Sequence, residues 1–248
     1  MKKLILSLAF CCAATTFFAQ TATTPEQLKK QGDDALNAKN YQVAFTKYNK
    51  YLTQTNFTDS VTAYNCGVCA DKIKKPADAA KYFDIAIQKK YNLANAYIGK
   101  SAALRDLKKG DEYISTIKEG MTAVPGNNTL EKLYAIYYLK NGISDQKAGK
   151  IESAEENYNK VLDVTSKKWK TDALYSLGVL FYNHGANTLK AAIPLATSDQ
   201  AKYDAEKAKA DTDFKKAKDY LEQALQISPT RAAAKTILTQ VEDQMKQK

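Results

Sequence analysis

The segment Asn40-Tyr41-Gln42-Val43-Ala44-Phe45-Thr46-Lys47-Tyr48-Asn49-Lys50-Tyr51-Leu52 decides the fold. Ala44 is small, Tyr48 four residues on is large, and Tyr51 follows three later. That i, i+4, i+7 spacing places the three side chains on one face of an α-helix. The triplet returns as Ala79, Phe83 and Ala86, as Tyr113, Ile117 and Gly120, as Ala154, Tyr158 and Val161, and as Ala217, Leu221 and Ala224. Its first members stand at 44, 79, 113, 154 and 217, separated by 35, 34, 41 and 63 residues. Self-similarity at a period near 34, with helical faces, predicts stacked pairs of helices and no sheet.

Each of these helices follows another. The preceding helices carry Gly32, Gly67, Gly142 and Gly178, with Ser101 in the third unit. A glycine inside a helix costs about 1 kcal/mol relative to alanine. Its return at one place in the unit therefore predicts a close approach by the neighbouring helix. Thr24-Pro25-Glu26-Gln27 reads as an N-cap, a first-turn proline and a capping-box glutamine. Pro76 opens a helix, while Pro125 and Pro229 follow helix ends. Beyond Pro229, Ala234, Ile237, Leu238, Val241 and Met245 form the apolar side of a capping helix, which a solenoid requires at its last unit.

The two long spacings mark insertions. The shorter falls around Gly126 to Tyr134 and reads as a longer connection or an early start to the next helix. The longer runs from about 185 to 212, with Pro194 and Thr197-Ser198-Asp199-Gln200 read as a turn and a capping box. No glycine or proline interrupts Asp199 to Ile227, so the expected shape is a helical hairpin arm that elongates both helices of the last unit. Tyr203, Ala205, Ala208 and Thr212 are expected to form its thin apolar stripe.

The recurring pattern resembles the tetratricopeptide-repeat family, whose unit has 34 residues. The resemblance covers roughly Pro25 to Pro229. It implies five units at about 25–58, 60–93, 94–127, 135–168 and 171–229, then a capping helix at 230–247: an all-α, right-handed α-solenoid. In this family the first helix of each unit lines a concave groove. The matching places include Lys29, Asp33 and Asn37, then Tyr64, Val68 and Asp71. Next come Asn95, Ile98 and Arg105, then Leu139, Ile143 and Gln146, and last Tyr175, Val179 and Tyr182. The expected partner-binding set is Lys29, Tyr64, Val68, Ile98, Arg105, Leu139, Ile143, Tyr175, Val179 and Tyr182. A subgroup of the family grips a C-terminal carboxylate. Lys29 and Asn65 match two of its places, but Asp33 stands where asparagine is wanted, and Asn95 and Gly99 replace two basic residues. Carboxylate clamping is therefore not expected.

Composition agrees with a globular helical chain of 248 residues, with 10 glycines, 5 prolines and 26% charged residues. Lys2 and Lys3 before the apolar run Leu4 to Ala14 read as a secretory signal peptide over residues 1–19. Cys11 and Cys12 leave lipidation open. The expected location is outside the cytoplasm, in the periplasm or at the outer membrane or cell surface. After such cleavage two cysteines remain, Cys66 and Cys69. Both fall inside a predicted helix, where i, i+3 spacing holds Cβ atoms about 5–6 Å apart, beyond the reach of a bridge. Two core thiols are the favoured reading and a local disulfide the other.

A single histidine, His184, with no glycine-rich phosphate loop and no nucleophile beside a base, gives catalysis no foothold; no enzyme activity, metal or cofactor is expected. The formal net charge is +10, but the lysines are interleaved with acids, which describes a solvated face rather than a nucleic-acid stripe. No nucleic-acid partner is expected. The positive charge is compatible with peripheral association with an acidic envelope surface. These readings converge on a non-enzymatic scaffold or adaptor that holds a protein or peptide segment in its groove or on its arm. A binding protein for a glycan or small ligand is the alternative. The oligomeric state is not legible.

Overall fold

The computed structural model describes residues 23–246, so the expected signal at 1–19, with Cys11 and Cys12, lies outside the described residues. Helices run in chain order as pairs: α1 (Pro25–Asn37) with α2 (Tyr41–Gln54), α3 (Ser60–Lys72) with α4 (Pro76–Gln88), and α5 (Leu93–Asp106) with α6 (Gly110–Ala123). Then come α7 (Asn128–Lys147) with α8 (Ile151–Lys160), which continues as a 3-10 turn to Asp163, and α9 (Lys167–Ala192) with α11 (Gln200–Ile227). A single turn, α10 (Leu195–Ser198), sits at the bend of the last pair, and α12 (Ala232–Lys246) closes the stack against α11 and α9. Neighbours in sequence are neighbours in space, as an α-solenoid requires.

The first-helix glycines are explained by the second-helix anchors. A Cβ at Gly32 would lie 2.5 Å from the Tyr48 ring, one at Gly67 3.0 Å from the Phe83 ring, and one at Gly178 2.5 Å from Leu221. Tyr158 stands in the same relation to Gly142. Gly120, which breaks the small-residue pattern of α6, serves the next contact: a Cβ there would meet Tyr97 at 2.9 Å. The anchors Ala44, Tyr48, Ala79, Phe83, Ala154, Tyr158, Ala217 and Leu221 are all buried. The first four belong to an apolar cluster centred on α2 to α4 and the last four to one on α8 to α12, while Ile117 and Val161 belong to a cluster between them on α6 to α8.

Polar residues that depart from the repeat are accommodated locally. Lys100 pairs with Asp84, and Asp145 accepts from Asn157 at 2.9 Å. The capping box forms as expected, with the Thr24 and Gln27 side chains each accepting the other residue's backbone N–H. Glu131 is buried yet fully engaged. Its carboxylate accepts the Thr165 N–H at 2.8 Å, the Thr165 hydroxyl at 2.7 Å and the Ser166 N–H at 3.0 Å, which ties the α7 side of the fourth unit to the start of the fifth. Cys66 and Cys69 are unbridged and buried in the first cluster, the core-thiol reading. Burial drives both thiols up, Cys69 to about 11.

Both insertions are helical. The shorter one lengthens α7, which Asn127 caps and which spans 20 residues where α3 spans 13. The longer one extends α9 and α11 into a hairpin of 26 and 28 residues. Two details of that arm correct the expectation. Helix α11 is capped by Asp199, which accepts the Lys202 N–H at 3.2 Å, whereas Thr197 and Ser198 belong to α10. The buried face of α11 runs through Ala210, Asp213 and Phe214 toward Ala217, while Ala205, Ala208 and Thr212 are exposed and Tyr203 is half-buried. Stepping back from Ala217 by helical turns leads to Glu206 and Lys207, both half-buried, whose methylene stems occupy a place that an apolar stripe would fill. On the facing helix, Gly178, Gly185 and Ala192 are buried at seven-residue intervals along α9, and a Cβ at Gly185 would press on the Ala210 carbonyl at 3.1 Å. One joint is thin: α6 meets α7 more sparsely than α2 meets α3 or α4 meets α5.

Candidate functional site

The first helices α1, α3, α5, α7 and α9 carry the expected groove residues, and much of that surface is already engaged within the protein. Lys29 donates to Asp59 at 2.6 Å. Asp59 also caps α3 by accepting the Thr62 N–H at 3.0 Å and the Thr62 hydroxyl at 2.9 Å, and it accepts the Tyr51 hydroxyl at 3.1 Å. Burial opposes ionisation of Asp59, but the Lys29 ammonium and the Thr62 donors outweigh it and hold the carboxyl at about 2. The same hydrogen bond raises Lys29. Asp33 accepts the Tyr48 hydroxyl at 2.7 Å, and Gln146 accepts the Tyr158 hydroxyl at 2.9 Å, so second-helix tyrosines reach through to the groove floor.

The groove aromatics are packed edges rather than free rings. Tyr64 is half-buried between Phe83 and Tyr91, with ring centroids 5.6 and 5.8 Å away, and burial raises its phenol. Tyr175 lies under the Arg231 guanidinium at 4.5 Å, and Arg231 donates to Asp172 at 2.6 Å. Tyr182 tilts against Phe214 at 6.3 Å. Val68 packs on the first cluster and Leu139 bridges the second and third. Ile98 and Val179 are half-buried. Two of the ten remain open to solvent, Arg105 and Ile143, and each belongs to a cleft.

The two clefts flank α7, one on either side. Each lies where the turn between the paired helices of one unit meets the first helix of the next. The first, of about 310 Å³, is lined by Arg105, Lys108, Lys109 and Gly110 of the α5–α6 turn region, by Tyr113 of α6, and by Ile136, Tyr137 and Lys140 of α7. Tyr113 and Tyr137 face each other with centroids 5.9 Å apart. Burial raises the Tyr113 phenol, and the nearby Arg105 charge pulls it back down. Ile136 is 44% exposed.

The second cleft, of about 580 Å³, has an apolar side formed by Ile143, Ile151, Leu180 and Ala186. Its polar side is Gln146, Lys147, Asn183, His184 and Asn187. Ile143 is 46% exposed. His184 Nδ1 lies 2.7 Å from the Asp213 carboxylate, which fixes the ring against the arm. The Gln146 carbonyl oxygen is held by Tyr158, leaving its amide nitrogen to donate outward. Among the described residues no group of three or more His, Cys, Asp or Glu side chains is placed to hold a metal ion.

Sequence reading does not single out Ile136, Tyr137 or Lys140. The signal that finds them is the extra length at the start of α7, which carries the helical face one turn further back from Leu139. Tyr113 is legible in sequence as a repeat position and Tyr137 only as one of sixteen tyrosines, because their meeting depends on how the third unit docks on the fourth.

No family model and no curated protein matches the chain. Among solved structures it is similar to a TPR repeats protein (BF2334) from Bacteroides fragilis, with 67% identity over 90% of this chain and 99% of that one, at a TM-score of 0.86. It also matches the MamA protein at 18% identity over 82% and 95% of the two chains, at a TM-score of 0.40. The TPR domain of P58(IPK) matches at 15% identity over 90% and 66%, at 0.42.

Proposed function

The chain belongs to the tetratricopeptide-repeat proteins, and from that premise we propose that it is a non-enzymatic scaffold holding a segment of a partner protein along the line of its two clefts. The observation that carries this reading is the pair of clefts that flank α7, each with an isoleucine of that helix, Ile136 or Ile143, left about half exposed at its edge. A segment crossing both would bury apolar area on each isoleucine and meet a different polar set in each cleft. Tyr175 and Tyr182 are committed to Arg231 and Phe214 and add little free surface. Residues 1–19 support a location outside the cytoplasm, and N-terminal sequencing of protein recovered from an envelope fraction tests that part.

The scaffold reading is tested with a photo-crosslinking amino acid placed at Ile136 or Ile143 in the living source cell, with Val43 on α2 as the control. Discrete adducts from positions 136 and 143 but not from 43 are expected. Adducts from none of them, or equally from all three, overturn it. One observation favours a second reading, a receptor for a small polar ligand such as a glycan: the 580 Å³ cleft has the volume of small-molecule sites. A thermal-shift screen separates the two, because a ligand at a hundred times its dissociation constant adds about 2.7 kcal/mol.

A further inference from the structure

The two clefts differ in charge. We propose that the cleft between the α5–α6 turn and α7 recognises an acidic peptide segment, one that presents an apolar side chain to Tyr113 and Tyr137 and carboxylates to the cations around them. This rests on the scaffold reading and adds the chemistry of the segment. Four cations, Arg105, Lys108, Lys109 and Lys140, line this cleft, and no carboxylate does. The second cleft has Lys147 as its single lysine or arginine, beside the amides of Gln146, Asn183 and Asn187. The density of cations therefore distinguishes this cleft from the one on the other side of α7.

The cations are available. Arg105 pairs with Asp106 at 3.1 Å and Lys109 with Glu112 at 3.0 Å, all four side chains being well exposed. Exposed pairs of this kind contribute little and exchange readily. Lys108 and Lys140 have no ion-pair partner among the described residues. Carboxylates arriving over the tyrosine rings would meet these charges in a partly desolvated setting, where attraction is stronger than in bulk water. The volume of 310 Å³ is at the small end for a whole ligand and suits an anchoring side chain, with Ile136 beside it. A nucleic acid would require a stripe of positive charge along the surface to follow its phosphates, whereas these four surround one recess.

Panning a random peptide display library on the full chain, followed by fluorescence anisotropy with the selected peptides, tests the proposal. The control is the Lys108→Gly/Lys140→Gln double variant, in which Lys108 leaves a left-handed backbone position (φ 59) that glycine accepts without strain. The expected result is enrichment of Asp and Glu around an apolar residue, with affinity falling about tenfold or more in the variant and on raising salt from about 50 to about 300 mM. Binders without acidic enrichment that bind both proteins equally overturn this inference and leave the scaffold standing. A library that yields no binder counts against the scaffold reading and this inference together. Competition by an oligothymidylate as tight as the best peptide also overturns it, since the cleft would then be a general polyanion patch.

Discussion

The buried carboxylate of Glu131 accepts both the backbone N–H and the hydroxyl of Thr165, 34 residues further along the chain. With Ser166 as a third donor, it is the polar clasp between the fourth and fifth units. At 2% exposure Glu131 has no water to substitute for these partners. Glu131→Gln replaces one acceptor oxygen with a donor facing donors. It is expected to lower stability by about 1–3 kcal/mol, read as a shift in urea midpoint, with Glu131→Leu at the upper end.

The close approach at the glycines predicts opposite signs for one substitution at two places. Gly178→Ala drives a methyl into the Leu221 side chain and is expected to cost about 1–3 kcal/mol. Gly110→Ala, at the start of α6 with nothing within 4 Å, is expected to be neutral or to stabilise by up to about 1 kcal/mol. Thermal melting of the two variants checks both.

Asp59 supplies a pH dependence. Its folded-state value of about 2 lies below the usual aspartate value, so its contribution is present above about pH 4 and is lost as pH falls toward 2. With the Lys29 side chain 40% exposed, the loss is expected to be about 1 kcal/mol after allowance for solvent screening. Asp59→Asn should remove that part of the acid sensitivity, and Lys29→Ala most of it, in stability measured from pH 5 to pH 2.

The buried thiols predict slow chemistry. Cys66 and Cys69 are expected to resist alkylation in the native protein and to react at the rate of unfolding, whereas both are labelled in denaturant without reductant. Rapid native labelling of either, or a Cys66–Cys69 bridge found by peptide mapping, contradicts the core placement.

The periodic triplets made the helix pairs, their order and the elongated last unit legible, because in every unit but the third the anchor is read twice, once by its own helical face and once by the glycine it presses on. The register of the arm was not legible: Glu206 and Lys207 sit on its inner edge, and hydropathy does not distinguish a charged residue that buries its stem from one that does not. The groove residues were placed on the right helices, yet sequence cannot show that Lys29 is held by Asp59 or that Tyr175 lies beneath Arg231. The clefts were less legible still, since Arg105, Tyr113 and Tyr137 come together only when two units dock.

The sparse seam between α6 and α7 has a mechanical consequence. Elastic compliance in a stack of this kind concentrates where adjoining layers grip least, so curvature and pitch vary at this joint before they vary elsewhere. The recess holding Tyr113 and Tyr137 straddles it, with one wall on either side. Whatever wedges into that recess touches both sides of the joint at once and braces it.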